Sequence, residues 1–189
     1  MSVVLYYGSG SPYAWRAWLA LEHKGVPHEL KTMSFAAGDL RTSEFSALNP
    51  RRRVPVLVDD AEDRWPAGPP LFAADVHTRA VQRRMVREAD QYLARIIERV
   101  AAGDRPEEAR SDLQRDLTYW ESVITGDYFS GALSAVDLTL YPFLALVLRI
   151  ASRQPGFAEA GLVGPRLSAW LDRMHALPLV QRTWPPHWR

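Results

Sequence analysis

Between residues 3 and 21 the hydrophobic period of this chain changes from 2 to 3.6 within a few positions. Val3 to Tyr7 is short, apolar and β-prone, whereas Ala14, Trp15, Trp18, Leu19 and Leu21 recur at helical spacing. Gly8-Ser9-Gly10-Ser11-Pro12 stands between them, so the stretch reads as strand, loop, helix. Ser11 before Pro12 fits an N-cap followed by the first helical residue. The hydroxyl can accept from an orphan amide, and proline there forfeits no helical hydrogen bond. Free amides and the helix dipole at such an end favour negative charge, so a thiolate, carboxylate or phosphate brought against Ser11 would be stabilised. A serine-proline pair can equally do no more than start a helix, and these residues alone leave both readings open.

Lys24-Gly25-Val26-Pro27 ends the helix, and residues 27–32 read as a second short strand, which makes a parallel pair. Leu40, Phe45 and Leu48 allow a short helix that stops before Asn49-Pro50. Val54-Pro55 then opens a strand, with proline at the mouth where its missing N–H does least damage. Asp59-Asp60 looks like a turn, yet no partner strand comes after it. Residues 61–70 lack apolar alternation and carry the proline and glycine of a linker. The predicted organisation is a first domain at 1–62, a linker at 63–74 and an all-helical domain at 75–189.

Asp75 caps a long helix with Val86, Ala89, Leu93, Ile96 or Ile97, and Val100 inward, and with arginines interspersed with acids on its other face. A helix from about Glu107 to Val123 comes next. Ser134-Ala135-Val136-Asp137 has the spacing of a capping box and opens an apolar run over 138–151 that must be buried on most sides. A last helix spans about 165–176, and the tail Trp184-Pro185-Pro186-His187-Trp188-Arg189 is expected to pack through its tryptophans.

The 189 residues, 47% of them hydrophobic, suffice for one large or two small domains. A net charge of +1 gives no global reason to expect nucleic acid or an acidic membrane as a partner. The chain has no cysteine, which excludes disulfides, thiolate metal sites and a cysteine nucleophile, so any thiol chemistry must use a thiol brought by a ligand. No metal site is expected. The sequence enters a strand without a signal-like run, and residues 138–151 are too few to span a bilayer, so a cytoplasmic location is expected.

Taken together, Ser11-Pro12-Tyr13-Ala14-Trp15-Arg16, Asn49-Pro50 through Val54-Pro55-Val56-Leu57, residues 133–142 and Leu177-Pro178 with the aromatic tail resemble the cytosolic glutathione transferase family, with the flavour of bacterial members that use serine at the thiol site. The resemblance implies an α/β thioredoxin-like N-terminal domain joined to an all-α C-terminal helical bundle, a homodimer, and glutathione as co-substrate for transfer to small hydrophobic electrophiles. It implies that the Val54-Pro55 bond is cis, that Val54 offers its backbone to the cysteinyl part of glutathione, and that Arg53 stands near the glycyl carboxylate. Ser11 would donate its hydroxyl to the glutathione sulfur, with Ser9 as the competitor for that role. The electrophile is expected between the domains, against the long helix after the linker and the loop carrying Tyr7 and Tyr13.

One departure stands out. Family members place a fourth strand and a third helix between the positions of Asp60 and Trp65, opening with an acidic residue followed by serine, and that length of chain is missing. Either the protein lacks the element, leaving the edge at 56–58 unpaired and half a glutathione site, or the polypeptide contains a stretch not present in this sequence. The cost of exposing core surface argues for the second, and ordinary peptide links over residues 60–62 would refute it. A glutathione-transferase-like scaffold without catalysis is the alternative function.

Overall fold

Alternation along β1 (Val3–Tyr7) buries Val3, Leu5 and Tyr7 and leaves Val4 and Tyr6 half-buried on the opposite face. The computed structural model describes residues 3–59, 68–124, 126–153 and 161–188. β1 is the central strand. It runs parallel to β2 (His28–Thr32), with Val3 opposite His28, and antiparallel to β3 (Val56–Asp59), with Val3 opposite Asp59. The parallel pair requires a crossover, supplied by α1 (Pro12–Lys24). Its buried residues are Ala14, Trp15, Trp18, Leu19 and Leu21, the face that the spacing predicts, and Gly25 ends it at φ 65°. In α2 (Ser43–Leu48), Thr42 caps the first turn and Phe45 is buried against Tyr6.

The chain divides into two compact units, Met1–Pro69 with Pro178–Arg189, and Pro70–Leu177. Sequence pattern groups the chain's end with the helical half. In the structure, α8 (Pro178–Thr183) and the tail belong to the first unit. Trp15 donates its indole N–H to Thr183 Oγ1 at 2.8 Å, and Trp184 and Trp188 meet the Trp15 ring edge-on at 5.4 and 5.6 Å. The strand and helix that the resemblance expects after Asp60, and the links over 60–62, lie outside the described residues. Among the described residues the sheet has three strands, and no side chain of β3 is fully buried; Leu57 is 41% exposed.

In the second unit the predicted long helix is α3 (Val76–Glu88), a π-helical turn at Ala89–Leu93, and α4 (Ala94–Ala102). Gln82, Met85, Ala89, Leu93, Ile97 and Val100 are buried, so Met85 replaces Val86 on the inner face and Ile97 is chosen over Ile96. The wider π turn takes up an extra residue and re-aims the helix beyond it. α5 (Pro106–Val123), α6 (Ala135–Ala151) and α7 (Pro165–Ala176) complete the unit, and α6 runs on through Pro142.

Asp137, fully buried in the first turn of α6, holds this unit together through four donors. Its carboxylate accepts from Ser134 N and Ser134 Oγ at 2.9 Å each, Phe129 N at 3.2 Å and Trp170 Nε1 at 2.9 Å. Burial pushes the carboxyl above the usual carboxylate range, and the donors pull against that rise.

Two outcomes are expected from this packing. Asp137→Asn puts an amide NH2 where a carboxylate oxygen accepts from two buried donors, so it should destabilise by about 2 kcal/mol or more, read as a lowered urea midpoint; an unchanged midpoint would contradict the account. Gly10 has φ 80°, and a Cβ there would lie 2.8 Å from His187 Cε1, whereas Gly25 at φ 65° has nothing within 4 Å. Gly25→Ala should cost about 1 kcal/mol of backbone strain, and Gly10→Ala more, with a change in tryptophan fluorescence as the tail is displaced.

Candidate functional site

The loop between β1 and α1 is covered on two faces, and its glycines are what allow this. A Cβ on Gly8 would fall 2.5 Å from the Phe35 ring and 3.2 Å from Val54 Cγ2; one on Gly10 would meet the His187 ring and, at 3.1 Å, Trp188 Nε1. The loop closes through Ser11 N–H to Gly8 O at 3.0 Å. Ser11 then caps α1: its Oγ accepts from Ala14 N at 3.4 Å, its carbonyl accepts from Trp15 N at 2.9 Å, and Pro12 occupies the first turn.

Both candidate serines are half-buried, and they differ in their partners. Ser9 Oγ lies 2.8 Å from His187 Nδ1. Ser11 has only the long contact from Ala14, so among the described residues its hydroxyl proton is uncommitted. Such a proton at the positive end of a 13-residue helix can be donated to an anion.

Val54 packs over Gly8, beside the serines, and the Val54-Pro55 bond is cis, as the resemblance implies. Among the described residues no hydrogen bond reaches the Val54 main chain. Arg53 is exposed, and its carbonyl accepts from Asn49 Nδ2 at 2.8 Å; no contact joins its guanidinium to the serine loop among the described residues. The structure thus sets Ser9 and Ser11 in one loop with Val54 packed on it, and no contact of Arg53 with that loop is found among the described residues. Tyr7 differs from expectation: it is core, 7% exposed and packed on Trp18 with ring centroids 5.3 Å apart, because inward alternation in β1 claims it. Tyr13 remains half-buried, with the Arg16 guanidinium 5.2 Å from its ring centroid.

His187 is the residue that sequence reasoning misses. It stands 178 positions from Ser9, and its only signal is membership of the aromatic tail. A depression of about 450 Å³ lined by Tyr92, Arg95, Asp112 and Tyr119, and one of about 420 Å³ lined by Trp18, Glu22 and His28, both leave out the serine loop.

Comparison with known proteins bears on the family and the fold. The family model for the glutathione S-transferase N-terminal domain matches residues 10–71, and that for the C-terminal domain matches residues 79–173. Glutathione S-transferase A of Pleuronectes platessa is 21% identical over 215 aligned positions, covering 98% of this chain and 92% of the relative. An alignment of 215 positions against a chain of 189 residues leaves at least 26 positions of the relative without a counterpart. Among solved structures, a glutathione S-transferase from the Antarctic clam Laternula elliptica superposes with a TM-score of 0.85 at 25% identity, covering 100% of this chain and 94% of the other. A family member from Pseudomonas fluorescens pf-5, solved with two glutathione molecules bound, gives 0.79 at 20% identity, covering 97% and 92%. With both family models matched in order and the fold shared from end to end, this chain belongs to the glutathione S-transferase family.

Proposed function

We propose that this transferase holds glutathione against the loop at the start of α1 and activates its thiol for attack on small hydrophobic electrophiles, the same thiolate serving isomerisation or peroxide reduction. Ser11 donates the hydrogen bond to sulfur. The observation that carries this assignment is the division between the serines: Ser9 is engaged by His187 at 2.8 Å, while the Ser11 proton is uncommitted among the described residues. A thiol with an ordinary pKa of about 8.5 is mostly protonated near neutrality. A donated hydrogen bond and the helix terminus both favour its anion and enlarge the nucleophilic fraction. Serine activates and does not attack; with no cysteine in the chain, the sulfur comes from the co-substrate.

The loop's neighbours supply the remaining contacts. The bare main chain of Val54 pairs with the cysteinyl portion of glutathione as an added strand would, Pro55 comes next at the mouth of β3, and Arg53 takes the glycyl carboxylate. Homodimer assembly and cytoplasmic residence belong to the same reading.

A second reading, a binding or scaffolding protein that keeps the fold without turnover, is favoured by one observation. The sequence from Asp60 to Trp65 has no acidic-serine pair to hold the γ-glutamyl end. Retention on glutathione resin together with turnover of a generic aryl halide is expected for the transferase; the scaffold shows neither. Ser11→Ala should lower kcat at least about 10-fold by removing the donor to the thiolate, and should lower stability by about 1 kcal/mol by removing the cap. A folded Ser11→Ala variant with unchanged turnover would overturn the assignment to Ser11.

A further inference from the structure

We propose that His187 is the acceptor of the glutathione thiol proton, reached through Ser9, an inference that rests on the reading of the loop as the thiol site. The geometry starts from the tail. Trp15, fixed by its bond to Thr183, is the surface on which Trp184 and Trp188 stand, and the turn closed by Trp188 N–H to Pro185 O at 2.9 Å directs His187 onto the loop. There His187 Nδ1 is 2.8 Å from Ser9 Oγ, and Nε2 lies 2.9 Å from where a Gly10 Cβ would stand. The imidazole therefore lies against the peptide that separates the two serines.

The chemistry needs such a group. Ser11 can stabilise a thiolate but cannot take its proton, since a serine hydroxyl is no base near neutrality. Histidine is the side chain whose ordinary pKa, about 6.5, allows it to take up and release a proton there. With the ring proton on Nε2, Nδ1 accepts the Ser9 hydroxyl. When the thiol S–H bond breaks, its proton bonds to Ser9 Oγ, the original Ser9 proton passes to His187 Nδ1, and sulfur keeps the electron pair. The products are a thiolate, an intact Ser9 hydroxyl and an imidazolium ion. The Ser11 hydrogen bond, the helix terminus and the attraction between the two new charges all favour the ion pair that results. The serines then have separate duties: Ser9 passes the proton and Ser11 holds the anion.

The test measures kcat with an aryl halide at saturating glutathione, the KM for glutathione, and the ultraviolet thiolate absorption of bound glutathione. His187→Ala, His187→Asn, Ser9→Ala and the Ser9→Ala/His187→Ala double variant are each compared with the wild type. Each single change should lower kcat about 10-fold or more and reduce thiolate absorption, with KM changed less than about 2-fold. The double variant should fall no further than the worse single one, because both break one relay. Ser9→Ala leaves the tryptophan packing of the tail untouched and so separates proton transfer from folding. The proposal is overturned if His187→Asn restores wild-type kcat, since asparagine can hold Ser9 but cannot take the proton. Unchanged kcat in Ser9→Ala, or additive losses in the double variant, would overturn it as well. A wild type that neither binds glutathione nor turns over is a different outcome, which removes the underlying reading and this inference with it.

Discussion

The indole N–H of Trp15 is buried with its ring, and an acceptor there relieves the cost of an unpaired polar group in an apolar setting. It finds Thr183, itself fully buried, 168 residues further along the chain. The bond ties α8 to the helix that begins at Ser11. In the Arg182 to Glu22 ion pair on the same seam the arginine is exposed, so the pair adds little on its own. The tail beyond α8 then covers the Gly10 side of the loop, while Phe35 and Val54 cover the Gly8 side. A loop held on both faces keeps its serines in place without a ligand, and preorganisation of that kind is what hydrogen-bond stabilisation of a developing anion requires.

How much of this is legible in the sequence depends on how locally each feature is determined. The inward face of α1, the Ser11 cap and the Ser134/Asp137 capping box are set by spacings of three and four, and these survive into the structure. The β1–β2 crossover is legible because a strand, a helix and a strand so close in sequence have one common solution. The inner face of α3 and α4 is legible only approximately: Met85 is buried where spacing pointed to Val86, and of the two candidates Ile96 and Ile97 the structure buries Ile97. The role of Tyr7 is misjudged by its place at the loop's edge, where strand alternation outweighs proximity. His187 is illegible altogether, because its position depends on where an aromatic tail lands after the fold closes. The cis bond before Pro55 comes from resemblance alone; a lone valine-proline pair carries no such signal.

Among the described residues β3 has one neighbouring strand, and its burial differs from that of β1 accordingly. A strand flanked on both sides, with a helix over one face, buries alternate side chains fully, as β1 does. Along β3 none is fully buried, and Leu57 keeps 41% of its surface in contact with solvent. In the sequence, no apolar alternation follows Asp59-Asp60, so the pattern does not supply the element that the resemblance expects there.

The absence of cysteine bears on chemistry as well as on redox state. A cysteine at the helix terminus could attack or be attacked by a bound thiol and store it as a mixed disulfide, which turns the site toward thiol–disulfide exchange. A serine has no such route, so a thiolate stabilised there stays a free nucleophile, and its reactivity is governed by how much of it is ionised and what can reach it. Ionisation depends on the donor and on where the displaced proton goes, and the groups proposed for both lie in the four residues between β1 and α1 and in the tail laid over them. The hydroxyl that caps the helix and the hydroxyl held by the tail differ in position and partner, and the division of work proposed for them rests on that difference.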